Sequence, residues 1–278
     1  PGALTVSPDQ RFLYAAVRST GSVATFAIDP ESGELSPLGT SAVVSNPVYL
    51  CTDRSGKYLF TAYYGDGRLA VYAIAEDGTV DGSSPLVLPT ETNPHCILVD
   101  KTNHCVLVPN TGSDLIMQFR FDPRTGQLHP SDPPKITTRT GAGPRHVYFH
   151  PSADFVYAVN EKDSTVTAYR LDRDAATLTP IQTVPTLPVD FDGKNTCADV
   201  EVTPSGKFLF ASNRGHDSLA GFRIDTESGR LTPLGQFATE ATPRSFNVDS
   251  TERFVVAAGQ GSGQLATYRL DAESGELT

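Results

Sequence analysis

One short pattern comes round six times in this chain. Ser55-Gly56-Lys57-Tyr58-Leu59-Phe60-Thr61-Ala62 returns as Ser205-Gly206-Lys207-Phe208-Leu209-Phe210-Ala211-Ser212. Looser copies stand at Asp9–Ala16, Asn103–Val108, Ala153–Ala158 and Thr251–Ala257. Each copy leads into a polar turn, then an alternating strand such as Val166–Leu171 or Leu265–Leu270. An Asp usually comes next, then Ser/Thr-Gly-x-Leu, as at Ser32–Leu35, Thr125–Leu128, Ser228–Leu231 and Ser274–Leu277. The units open near a proline (Pro1, Pro47, Pro94, Pro144, Pro243) before a short apolar strand, and the fifth has Cys197-Ala198-Asp199 there instead. A unit this small cannot bury its own apolar face, so the copies must stack on one another.

The period, about 45 to 53 residues, holds four short strands. Alternating apolar and polar residues, rich in Val, Tyr and Phe, are the mark of half-buried strands. The 23 Gly and 21 Pro suit the many tight turns that such strands need. No capped helical pattern occurs. The expected fold is all-β: a β-propeller of four-stranded antiparallel blades, six of them visible, in one domain over residues 1–278. A stacked solenoid or a sandwich is the weaker alternative, because solenoid repeats are shorter and sandwiches do not repeat. The last unit stops at Leu277-Thr278, where a fourth strand would begin, so a closing blade is expected to be missing or incomplete. The longest interruption, Pro185–Asn195, reads as a loop inserted before the fifth unit, a lid or specificity element if it borders a site.

Charge and motifs exclude several functions. A formal net charge of −10 argues against nucleic acid or an anionic membrane as partner. No apolar run approaches the length that spans a bilayer, and no signal peptide is visible. The four cysteines (Cys51, Cys96, Cys105, Cys197) are scattered and read as reduced core thiols, which suits the cytoplasm. There is no GxSxG elbow, HExxH or phosphate-binding loop, and no zinc spacing. Asp190-x-Asp192-Gly193 shares the start of a calcium loop without its terminal Glu, so no metal is expected. Oligomeric state is not legible.

Connectivity places the chemistry. The first strand of a unit runs from one face of the blade to the other and the second strand returns. Residues just after the opening proline therefore share a mouth with residues ending the second strand. The unusual polar residues concentrate there: His95, Arg145 with His146, Asp199 and Arg244 at the first position, and Asn110, Asn160 with Glu161, Asn213 with Arg214, and Gln260 at the second. Taken singly, each is more often a solvated group or a structural pair. At equivalent positions they make a candidate small-molecule site.

These segments resemble a known family. Gly141-Ala142-Gly143-Pro144-Arg145-His146, Val159-Asn160-Glu161, Ala198-Asp199-Val200, Thr203-Pro204-Ser205-Gly206, Pro243-Arg244-Ser245-Phe246-Asn247-Val248-Asp249 and Ala257-Ala258-Gly259-Gln260 look like the bacterial propeller-type 6-phosphogluconolactonases. The resemblance covers essentially the whole chain. It implies seven blades and hydrolysis of a phosphorylated sugar lactone, a carboxylic ester hydrolase of the pentose phosphate pathway. The same family holds the fungal carboxy-muconate cyclases, whose His, Arg, Glu and Arg set falls on His95, Arg145, Glu161 and Arg214. On this reading Glu161 or His95 is the general base and Arg145 stabilises the oxyanion. Arg214 and Arg244 grip the phosphate, and His146, Asp199, Asn110 and Gln260 bind sugar hydroxyls. No cofactor is required. A muconate-lactonising cyclase and a non-catalytic binding platform remain the alternatives.

Overall fold

The repeated apolar core segments become central strands. In Tyr58–Tyr63 every residue after the first is buried, and all six of Phe155–Asn160 are. A strand inside a sheet whose two faces are both covered reads as a near-continuous apolar run. The fourth strand of each repeat lies at the outer edge, and its residues are largely exposed, as along Leu35–Ala42.

The structure is a computed structural model and describes residues 2–278. Pro1, the opening proline of the first repeat, lies outside the described residues. The strands form six antiparallel sheets, here called blades. Blade 1 holds β1 (Leu4–Val6), β2 (Phe12–Val17), β3 (Ser22–Ile28) and β4 (Leu35–Ala42). Blade 2 holds β5 (Tyr49–Thr52), β6 (Tyr58–Tyr63), β7 (Arg68–Ala73) and β8 (Leu86–Pro89). Blade 3 holds β9 (Leu98–Val99), β10 (Cys105–Asn110), β11 (Leu115–Asp122) and β12 (Gln127–Thr137). Blade 4 holds β13 (Pro144–Phe149), β14 (Phe155–Asn160), β15 (Thr165–Asp172) and β16 (Thr177–Pro185). Blade 5 holds β17 (Thr196–Val202), β18 (Phe208–Arg214), β19 (Ser218–Ile224) and β20 (Leu231–Ala238). Blade 6 holds β21 (Pro243–Val248), β22 (Phe254–Gly259) and β23 (Leu265–Arg269). Leu277-Thr278 returns beside Arg269-Leu270, the start of a fourth strand. No helix occurs among the described residues.

The chain forms two compact units. One holds the described residues up to Thr137 with Arg173–Thr177, the other Thr138–Asp172 with Leu178–Thr278. In the first, Phe60, Val71, Val106 and Phe121 build a core between blades 2 and 3. In the second, Tyr157, Val166, Val200, Leu209 and Phe222 do the same between blades 4 and 5. Fully burying one such side chain contributes about 1.5–3 kcal/mol.

Two turn devices repeat with the blades. Where the first strand hands over to the second, one side chain accepts backbone N–H groups of the turn. Asp53 accepts from Lys57 and Tyr58, Asp100 from His104 and Cys105, and Asp249 from Arg253 and Phe254. Ser7, His150 and Thr203 stand at the same place and do the same work.

The second device is the Ser/Thr-Gly turn between third and fourth strands. Its glycine has positive φ, and in blades 3, 5 and 6 a Cβ there would strike the aromatic ring that opens the second strand of the preceding blade. Gly126 meets Tyr58, Gly229 meets Phe155 and Gly275 meets Phe208. An arginine from the third strand covers two of these rings, Arg170 over Phe155 at 5.2 Å and Arg223 over Phe208 at 4.9 Å. Blade 4 departs from the pattern: Ala176 takes the glycine's place with φ 54°. The preceding blade has Cys105, not an aromatic, at the corresponding position, which leaves room for a methyl group.

Candidate functional site

The candidate residues of the second unit begin at irregularities in three inner strands. In β13 the register with β14 shifts between Pro144 and His146, so Arg145 is an extra residue with no cross-strand partner. The shift recurs at Arg244, between Pro243 and Ser245 of β21. In β17 it falls between Cys197 and Val200, around Ala198 and Asp199. A β-bulge re-aims the side chain at the extra position and frees backbone groups from the ladder. Here it turns Arg145 out of the alternation and leaves the Ala198 carbonyl to accept from it.

Arg145 is 2% exposed. Its Nη1 donates to the Ala198 carbonyl at 2.5 Å and lies 3.0 Å from His146 Nε2. Its Nε lies 3.4 Å from Glu161 Oε2, an ionic contact without hydrogen-bond alignment. Nη2 bonds to no described residue. Glu161 Oε1 accepts from Arg214 Nη2 at 2.8 Å, and the same nitrogen donates to the Cys197 carbonyl at 2.7 Å. His146 Nδ1 lies 2.8 Å from Asp199 Oδ1, and Asp199 Oδ2 accepts from Ser245 Oγ at 3.0 Å. Each link between blades 4 and 5 spans one repeat: Arg145 to Ala198, His146 to Asp199 and Glu161 to Arg214 are all 53 residues apart.

Burial pulls the Arg145 guanidinium down to about 10, helped by Arg214 and Arg244 and opposed by Glu161 and Asp199, so it stays a cation at neutral pH. Burial and the field of Arg145 lower His146, keeping the imidazole neutral against the pull of Asp199. Burial alone would raise Asp199, but His146 and Arg145 outweigh it and hold the carboxylate ionised. Glu201, two residues along β17, is pushed well above the carboxylate range by burial and by Asp199, with a hydrogen bond to Tyr148 opposing the shift. Three arginines set against the carboxylates of Glu161 and Asp199 leave one positive charge inside a chain of net charge −10.

The second unit thus brings together Arg145, His146, Glu161, Asp199, Arg214 and Arg244. Gln260 is exposed at the head of the β22–β23 turn, at the position matching Glu161 and Arg214, with its N–H on the Thr242 carbonyl. His95 and Asn110 belong to the first unit. His95 is buried, edge-on to Tyr64 at 5.5 Å, and its N–H donates to the Pro109 carbonyl. Asn110 is 0% exposed; its side-chain N–H donates to the Val108 carbonyl at 2.7 Å, while its Oδ1 is buried without a hydrogen-bond partner among the described residues. The end of a second strand is better suited to closing the sheet: Asn160 and Asn213, at the same position, are also buried and bonded within their blades.

Sequence reasoning missed Ser245 and Glu201. Ser245 was legible in principle, because Pro243-Arg244-Ser245 repeats Pro144-Arg145-His146 and shares its bulge. Glu201 carries no motif. The inserted Pro185–Asn195 loop is tied down at both ends rather than loose. Thr186 Oγ1 and Asn195 Nδ2 both donate to Asn213 Oδ1, and Phe191 packs edge-on to His216 at 4.9 Å. Its far end runs directly into Thr196 and Cys197, whose carbonyls receive Arg214. No group of side chains among the described residues could hold a metal ion, and none gathers around Asp190 and Asp192.

The chain is 36% identical over 248 residues to a 6-phosphogluconolactonase of Pectobacterium carotovorum, covering 89% of this chain and 74% of the relative. It is 36% identical over 246 residues to one from Xenorhabdus nematophila, covering 88% and 73%. Among solved structures it resembles the periplasmic gluconolactonase of Pseudomonas aeruginosa, with TM-score 0.91 and 27% identity over 100% of this chain and 83% of that one. A protein from Lactobacillus plantarum gives TM-score 0.89 and 28% identity over 100% and 83%. The family model described as "Lactonase, 7-bladed beta-propeller" matches residues 1–278. By its repeats, its blades and this match over its whole length, the chain belongs to the lactonase family of seven-bladed β-propellers.

Proposed function

We propose that the cluster around Arg145 hydrolyses a sugar lactone, 6-phosphogluconolactone to 6-phosphogluconate, as the relatives' names state for those proteins. The observation that carries the reading is a guanidinium fixed on three sides with Nη2 left over, beside a half-open carboxylate and a second arginine. A lactone carbonyl set against Nη2 of Arg145 meets a donor that needs no reorganisation as charge builds on the oxygen. Glu161 has a side chain 22% exposed, so it can also take a proton from water. Water adds to the ester carbon as Glu161 takes its proton, the bond from that carbon to the ring oxygen breaks, and the ring oxygen takes up that proton. The products are a free hydroxyl and a carboxylic acid, which releases its proton to solvent as the carboxylate.

Arg214 and Arg244 suit the phosphate, since guanidinium groups bond phosphate oxygens in pairs. The residual positive charge of the cluster favours such an anion. The reaction written this way needs only water and side chains. The buried free thiols Cys51, Cys96, Cys105 and Cys197 are in keeping with a reducing compartment, the cytoplasm.

Arg244→Ala is expected to raise KM for the phosphorylated lactone far more than for gluconolactone. An equal effect on both would remove the phosphate role. Glu161→Gln is expected to lower kcat about 10²–10⁴-fold with little change in KM; full activity would take Glu161 out of the chemistry.

A further inference from the structure

We propose that His146 is a positioning residue: the chain Asp199–His146–Arg145 fixes the Arg145 guanidinium in its working orientation and holds it only while the imidazole is neutral. The inference rests on the reading that Arg145 faces the reacting carbonyl. It gives His146 a task other than contact with a sugar hydroxyl.

Arginine has no hydrogen-bond acceptor. At 3.0 Å from Arg145 Nη1, His146 Nε2 must therefore offer its lone pair. The single ring proton then sits on Nδ1, which donates to Asp199 Oδ1 at 2.8 Å. Asp199 is held in turn by Ser245 Oγ and by the Val200 N–H, and its own N–H donates to Ser212 Oγ. Both ring nitrogens are engaged, and the imidazole is nearly buried, with a side chain 12% exposed. A second proton on the ring would turn Nε2 into a donor aimed at a donor, and set two cations against each other.

The charged groups that act on the ring are Arg145 on β13, Asp199 on β17 and Glu161 just after β14. Arg214 at the end of β18 and Arg244 on β21 act in turn on Arg145, and Glu201 on β17, bonded to Tyr148 of β13, feels Asp199. Asp199 and Glu161 favour protonation of His146; burial and Arg145 oppose it and prevail. The ring thus takes up its second proton at a lower pH than an ordinary histidine does. Once it has, Arg145 loses one of the contacts that fix it.

The test uses the full chain and initial rates on 6-phosphogluconolactone and gluconolactone across about pH 5 to 8, near the histidine range, each rate corrected for spontaneous opening. His146→Ala should lower kcat at least about tenfold with KM within about twofold, because Arg145 loses a partner used in the transition state. His146→Gln should recover most of that loss, since its side-chain carbonyl can accept from Arg145 Nη1. The wild-type kcat should fall at the acid end, and His146→Gln should flatten that fall. A rise in KM at unchanged kcat, or an acid limb that persists in His146→Gln, overturns the proposal. Arg145→Ala separates the two levels. If it is fully active, the catalytic reading of the cluster fails and this inference with it. If it is inactive while His146→Ala behaves as wild type, only the positioning role fails.

Discussion

At the scale of single residues, the cluster is made of polar groups that burial would penalise if any partner were missing. Arg145 illustrates the balance. Each of its bonds ends on a group that is itself bonded, so the guanidinium is held in one orientation. Arg145→Lys keeps the charge but not the planar fork, and one ammonium cannot serve Ala198 and His146 while also reaching a substrate. We expect kcat to fall about 10²-fold, the loss typical of one oxyanion donor, and stability to fall by about 1–3 kcal/mol for a partner left unsatisfied. Asn213 is a purely structural counterpart. Itself 0% exposed, it accepts from Thr186 and Asn195 and donates to Ser218 Oγ and the Thr186 carbonyl. Asn213→Ala strands several of these groups, at a cost of about 1–3 kcal/mol for each left unsatisfied. Urea unfolding would read this, and a loss below about 1 kcal/mol would show that the loop anchors itself otherwise.

At the scale of elements, the bulges and the glycine turns do different jobs. The bulges give up regular pairing to aim Arg145 and Arg244, whereas the turns lock one blade against the next. Gly229→Ala is expected to cost at least about 1–2 kcal/mol, from the left-handed backbone alone, with a further penalty from the collision with Phe155. Ala176→Gly should change stability by less than about 1 kcal/mol, because relief of the same backbone strain offsets the lost methyl packing. Equal effects at the two positions, measured by chemical denaturation, would contradict the steric account. The glycine turns were plain in the sequence as Ser/Thr-Gly-x-Leu. The aromatic each glycine meets was not, because it lies about a repeat and a half away along the chain.

At the scale of the molecule, acid should unfold the protein through its hairpin aspartates. Asp249 is lowered from 3.8 to about 2 by the Thr251 hydroxyl and by backbone N–H donors. Burial would raise Asp100, but Thr102 and backbone donors lower it on balance. A carboxyl whose folded value lies below its unfolded value contributes stability that is complete above the unfolded value and is lost as pH falls through the folded one. Stability should therefore drop between about pH 4 and pH 2. Glu201 acts in the opposite sense: its folded value is raised from 4.5, so ionising it costs stability as pH rises. Glu201→Gln should accordingly stabilise the protein at pH 7 and change little at pH 4. Denaturation curves at the two pH values decide this, and an equal effect at both would refute it.

The order of residues along the chain specifies the repeat and its local consequences: four strands per unit, their turns, and the placing of unusual polar residues at two positions of each unit. Alternation and turn chemistry act over a few residues, so they can be read without a fold. Which of those residues meet was decided by the tertiary structure. Asn110 stands at the position of Asn160 and Asn213, one residue short of the position held by Glu161 and Arg214, and what each position meets depends on the neighbouring blade. The bulge at Arg145 has no local signature, since it exists only as a mismatch of register with β14. The pairing of Arg145 with Ala198, His146 with Asp199 and Glu161 with Arg214 arises because stacked blades set equivalent positions of neighbouring repeats side by side. Side chains that lie 53 residues apart in the chain are then joined by contacts of 2.5 to 2.8 Å.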